Sequence, residues 1–263
     1  MFAALFGDLV PHQRLDTESE AAQDAYSLFY ARSSAMRWLT PAVHGAAGGL
    51  WGMNDAAAAP DSGPRPSRAA FFQVVLTEPT ISKLLPVQPF LACAGDVMAR
   101  LGTLRLEAVQ VLLPERDADE DAQLASPSGA RVASSLLDAC NWFAGCDPRA
   151  RTAVRVTLDG GPDPSIRAAA PAIVQWAREV RQEVFACHSL SLAEDDHLIL
   201  WPIPFGPAPA GPHRVTFRGT LAEWSLDALG WLAAFLADGT ARYGVSSQLM
   251  LTADRAANTH LAK

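Results

Sequence analysis

Cys187 and His188 put a thiol beside an imidazole, the pairing that a cysteine nucleophile requires. Consecutive residues of a strand face opposite ways, so these two cannot form that dyad with each other, and structural roles are expected for both. Glu194, Asp195, Asp196 and His197 form the densest ionisable run. Carboxylates and imidazole can ligate a metal, but four consecutive residues in a tight turn cannot all face one ion. The run reads as a charged hairpin tip. Asp117, Asp119 and Asp121 copy the alternate carboxylates of a calcium loop. The Gly and bidentate carboxylate that such a loop needs next are replaced by Ala122 and Ser128, so the segment Pro114 to Gly129 reads as solvated surface.

Other candidates are weaker. Asp159-Gly160-Gly161 follows a strand and could aim backbone N–H groups at an anion, but its flanking prolines favour an ordinary loop. Gly244-Val245-Ser246-Ser247 lacks the closing Gly of a nucleophile elbow and precedes a strand instead of a helix. No dinucleotide or phosphate loop occurs. Cys140 and Cys146 could bridge, but two sulfurs with no completing pair make a poor zinc site. With Cys93 and Cys187 they are expected to be free thiols in a reducing, cytoplasmic setting. The sequence therefore implies no cofactor and no metal, and leaves open whether the protein is an enzyme.

The seven tryptophans carry more weight: Trp38, Trp51, Trp142, Trp176, Trp201, Trp224 and Trp231. Large aromatics with a polar handle concentrate in pockets and interfaces as well as cores. Trp51, Trp201, Trp224 and Trp231 are the candidate binding residues, and the core is expected to take most of the seven.

The elements that must position these residues form a recurring pattern. A short apolar strand leads through a loop into an amphipathic helix and then a second strand. The copies open at Phe71–Leu76, Val154–Leu158 and Arg214–Phe217. The expected fold is α+β, with three strand–helix–strand units sharing one sheet, and the preferred picture is a duplicated ferredoxin-like (split βαβ) arrangement carrying an N-terminal helix. Residues 1–44 read as an N-terminal helical segment whose helix runs from a Thr17/Glu20 capping box to about Leu39. Residues 45–69 read as a Gly/Pro-rich loop anchored by Leu50, Trp51 and Met53, with a lid as the sharper reading. Residues 70–255 form the α+β body, one compact domain. Pro89 suits the first turn of a helix that ends at Gly102, and Pro171 the first turn of another. Val184–Leu192 and His197–Ile203 suggest a hairpin, followed by a stiff proline-rich connection, Pro202 to Pro212. Leu221–Asp238 is the clearest helix, opened by Thr220 and Glu223 and closed by Gly239. It is apolar on most sides, and so is either central or covered by another chain.

The net charge of −7 and the lack of a basic run argue against nucleic acid. No apolar run is long enough to span a bilayer, and Met1–Asp8 lacks the basic start of a secretory signal. Only Lys83 and Lys263 are lysines among 21 basic residues, a bias that suggests a GC-rich bacterial genome. The leading expectation is a bacterial protein-binding accessory or immunity-type protein, or one that self-associates, acting through an apolar, aromatic-rich surface. The alternative is an enzyme or binder for an apolar small molecule, with a pocket between sheet and helices.

Overall fold

The computed structural model describes residues 1–12, 24–40, 48–58, 66–77, 84–116, 134–192 and 213–256. Among these residues eight strands form one sheet: β1 (Phe2–Pro11), β2 (Trp51–Ala58), β3 (Arg68–Leu76), β4 (Gly102–Leu113), β5 (Thr152–Asp159), β6 (Phe185–Ser191), β7 (Arg214–Leu221) and β8 (Leu249–Arg255). Their spatial order is β2-β3-β1-β4-β8-β5-β7-β6, and every neighbouring pair is antiparallel. Five α-helices accompany them: α1 (Ala25–Ala35), α2 (Val87–Leu101), α3 (Ser134–Phe143), α4 (Ser165–Glu179) and α5 (Leu226–Arg242). The chain is thus α+β.

Leaving α3 aside, residues 2–113 and 152–255 run through the same succession: strand, helix, strand, strand, helix, strand. Each half lays its strands in the order second, third, first, fourth, and the two fourth strands, β4 and β8, meet in the middle. There are therefore four strand–helix–strand units, where the sequence suggests three. The unit missing from that reading is β1–α1–β2. Its first strand is Phe2-Ala3-Ala4-Leu5-Phe6, buried on both faces, so no alternation marks it as a strand. Its second strand, Trp51–Ala58, lies where the loop 45–69 is expected. Gly52, Asn54, Asp55 and three alanines are poor strand formers, and the strand is held by its ladder with β3.

Strand alternation divides the two faces. Ala3 and Leu5, Val109 and Val111, Val154, Val156 and Leu158, Val215 and Phe217, and Leu251 and Ala253 all join the helices in one core. The opposite face carries a small apolar cluster of Phe2, Ala4, Phe6, Ala108 and Met250. Beside it the register aligns Gln110, Thr252, Thr157 and Thr216. Asp254 on that face pairs with Arg155 at 3.1 Å, and burial pushes its carboxyl above the ordinary range.

The helix boundaries depart from the sequence reading for local reasons. α1 starts at an Asp24 cap, whose carboxylate accepts from Ser27 N–H at 2.7 Å, and it ends at Ala35, because Leu39 leaves to pair with Trp51. Thr17 and Glu20 lie outside the described residues. Gly102 has extended backbone and begins β4, so α2 passes directly into a strand. α4 starts two turns ahead of the expected site, and Pro171 falls inside it. α5 is capped by Ser225, because β7 continues to Leu221; it then runs past Gly239 to Arg242. Gly239 is an internal contact, since a Cβ there would lie 2.6 Å from the Trp176 ring.

Candidate functional site

The tryptophans sort by burial. Trp51 is fully buried and forms an aromatic cluster with Phe29, Phe90 and Trp38, while Phe72 packs on Phe29. Trp231 is equally buried. It stacks on Phe235 at 4.8 Å, Phe235 stacks on Trp176 at 4.4 Å, and the Trp231 indole donates to the Leu136 carbonyl at 2.8 Å. Trp51 and Trp231 are therefore core residues and offer a partner no surface. The middle of α5 is enclosed: residues 228–237 are all buried. Of the two alternatives for this helix, central or covered by another chain, its aromatic face takes the central one. Trp201 lies outside the described residues, as do the acidic loop at 117–121, the 194–197 cluster, the second arm of the expected hairpin and the proline-rich connection. Among the described tryptophans Trp142 is the exposed one, at 75%.

Trp224 alone among the four candidates borders open space within the described residues. A cavity of about 480 Å³ lies between α2, the start of β4 and the entrance to α5, with His12 at its edge. One side comes from the first half (Ala92, Gly95, Asp96, Met98, Leu104, Leu106) and the other from the second (Trp224, Ser225, Leu226, Asp227). Such sites favour the seam between two structural halves. A second cavity of about 650 Å³ adjoins it between α1 and α2, and the two share Asp96 and Ala99. They lie on the two flanks of α2, and together they make a candidate groove along it. The groove exists because the residues beneath it are small: Ala31 and Ala35 on α1, and Ala92, Gly95 and Ala99 on α2.

The polar groups of this groove are held in place. The Trp224 indole donates to the Leu106 carbonyl at 2.9 Å, and Arg255 lies over its ring at 5.3 Å. His12 Nε2 is 3.0 Å from the Ala99 carbonyl oxygen. Arg32 Nε donates to Asp96 at 2.6 Å. Glu223 accepts from Ser225 Oγ at 2.5 Å and from the Cys146 thiol at 3.7 Å. Asp227 is half-buried in the first turn of α5. Burial pushes its carboxyl up, and the charges of Glu223 and Asp96 push it further.

The remaining candidates stay structural. A β-bulge between Cys187 and Ser189 sets His188 out of the ladder, and its carbonyl accepts from Arg178 at 3.2 Å. In the Asp159-Gly160-Gly161 turn the Asp159 carboxylate accepts from Gly161 N–H at 2.8 Å and pairs with Arg214 at 2.7 Å, so the turn supplies its own anion. All four cysteines are free thiols. Among the described residues, no three His, Cys, Asp or Glu side chains gather as a metal site, and no helix is long and apolar enough to cross a membrane.

Of the sequence candidates, Trp224 lines this candidate groove; the groove itself gave no sequence signal, because many of its lining residues are Ala and Gly. No family model matches this chain, and neither a curated protein nor a solved structure matches it.

Proposed function

We propose that this chain is a protein-binding module of the accessory or immunity type, from a bacterium, and that it receives a segment of its partner in the groove over α2. The observation that carries this reading is a pair of open cavities that flank α2, share Asp96 and Ala99, and are lined by small residues of α1 and α2. The surface differs from the aromatic helix face that the sequence suggests, and Trp224 is the aromatic residue the two readings share. The repeated strand–helix–strand–strand–helix–strand succession, with strands in the order second, third, first, fourth, supports a duplicated ferredoxin-like arrangement. In that arrangement the groove lies at the seam between the copies. A small apolar ligand is the second reading. It is favoured by the size of the Trp224 cavity, about 480 Å³, and by its Met98, Leu104 and Leu226 walls.

Site-specific photo-crosslinking tests the first reading. A benzophenone side chain is placed at exposed Ala35 or Thr103 on the groove rims, with exposed Val75 and Trp142 as controls, in cells of the source organism. A discrete protein adduct from the rim positions, lost when Ala99→Trp fills the trough, is the expected result. Equal adducts from the controls, or none from the rims, would remove the proposal.

A further inference from the structure

We propose that the groove anchors a basic side chain of the partner, an arginine or lysine whose aliphatic stem lies on the Trp224–Leu226 wall and whose charge sits between Asp227 and Asp96. This rests on the docking reading above and names what the docked segment must carry.

The walls beside Trp224 are apolar, and the charged groups facing the cavity between them are carboxylates. Asp227 projects from the first turn of α5, and Asp96 from α2 across the groove, with Glu223 next to Asp227. Of the neighbouring basic residues, Arg32 bonds Asp96, Arg255 covers the Trp224 ring and His12 bonds the Ala99 carbonyl, while Arg100 lines the α1 side of the trough. The Arg32–Asp96 pair is exposed at both ends, so it is weak and open to exchange. Asp227 is left with two like-charged neighbours and a partial loss of water, both of which disfavour its ionised form. A cation in the groove would relieve both effects at once, whereas an anion would add to the repulsion. A long basic side chain suits this geometry because its stem covers apolar surface while its head stays polar. The chain's net charge of −7 draws a basic partner toward the same face.

The test follows the Trp224 indole N–H in nitrogen-15 spectra, assigned through Trp224→Phe. The probes are acetyl-Ala-Leu-Arg-Leu-Ala-amide, its neutral citrulline counterpart and propylguanidine. The arginine peptide is expected to shift the Trp224 signal and to bind about tenfold more tightly than the citrulline peptide, a difference of one hydrogen-bonded charge pair. Asp227→Asn should reduce that ratio to about twofold. Equal affinity of the two peptides would overturn the basic anchor and leave the groove standing. Propylguanidine binding as tightly as the arginine peptide would overturn a partner side chain in favour of a free small cation. No Trp224 shift with either peptide at about 10 mM, far above a millimolar Kd, would remove the groove reading along with the anchor.

Discussion

Trp224 donates its indole N–H to the carbonyl of Leu106 at 2.9 Å, and this bond ties the entrance of α5 to β4, across the seam between the two halves of the chain. Trp224→Phe keeps the ring and removes the donor. It should cost about 1 kcal/mol, the usual net worth of such a bond. Urea unfolding of the variant checks this, with an unchanged slope against denaturant as the sign that only stability has moved.

Trp231 lies in the core with Phe235 stacked on it and Leu136 accepting its N–H. Trp231→Ala should therefore destabilise the isolated chain by about 3–5 kcal/mol through the cavity it leaves. Paired denaturant unfolding and analytical ultracentrifugation check it. A variant as stable as the parent would mean that the stack does not support α5.

Gly230 packs α5 directly against the backbone at the start of α2. A Cβ there would lie 2.7 Å from Gln88 Cα and 3.2 Å from the Val87 oxygen, both backbone atoms that cannot swing away. Gly230→Ala should cost about 1–3 kcal/mol by forcing the helices apart, although alanine is the better helix former. A thermal melt lowered by several degrees would agree, and an unchanged or raised melt would show that the crossing is loose.

Asp227 gives a pH signature. Its carboxyl is raised above the usual 3.8, first by burial and then by Glu223 and Asp96. The folded chain therefore holds this proton more firmly than the unfolded chain does. The sign follows: stability is greatest below the ordinary value and declines as pH rises through the raised one. Asp227→Asn should flatten that part of the profile and leave the protein more stable at neutral pH. A steeper profile, or a loss of stability at pH 7, would contradict it.

Cys93 is fully buried between α1 and α2, and burial pushes its thiol up to about 11. It should stay unmodified by a thiol reagent at pH 8 in the native protein, because the thiolate is the reactive form. In denaturant all four cysteines should react. A shortfall of two would indicate a bridge and contradict the free thiols of the fold.

Much of the body was legible in the sequence where period and burial agree. Val154, Val156 and Leu158 alternate with Arg155 and Thr157, and the strand forms with those faces. Phe90, Leu91, Ala94, Val97 and Met98 mark the buried side of α2 as their spacing implies. What escaped is physical in origin. Phe2–Phe6 has no period because both its faces are buried, and Trp51–Ala58 has little strand propensity of its own and is held by its neighbour β3. The start of α5 slipped because Thr220 and Glu223 imitate a cap that Ser225 supplies. The site was legible only at Trp224. The rest of the groove is made by residues too small to announce themselves, and by carboxylates brought together from α2 and α5, more than a hundred residues apart in the chain.

The central ladder has a consequence for what a fragment of this protein would do. Ala108 through Leu113 pair with Asp254 through Leu249, and α2 crosses α5 above them. Cut in the connection between β4 and α3, each piece would keep a complete strand succession but bare its fourth strand, with Val109 and Val111 or Leu251 and Ala253 uncovered beside it. An unpaired apolar edge seeks another strand. The natural mate is the other piece, so the two expressed together should rejoin and restore the groove that needs both. Expressed alone, each would meet only copies of itself and tend to pair edge to edge, which makes the seam a subunit contact written into a single chain.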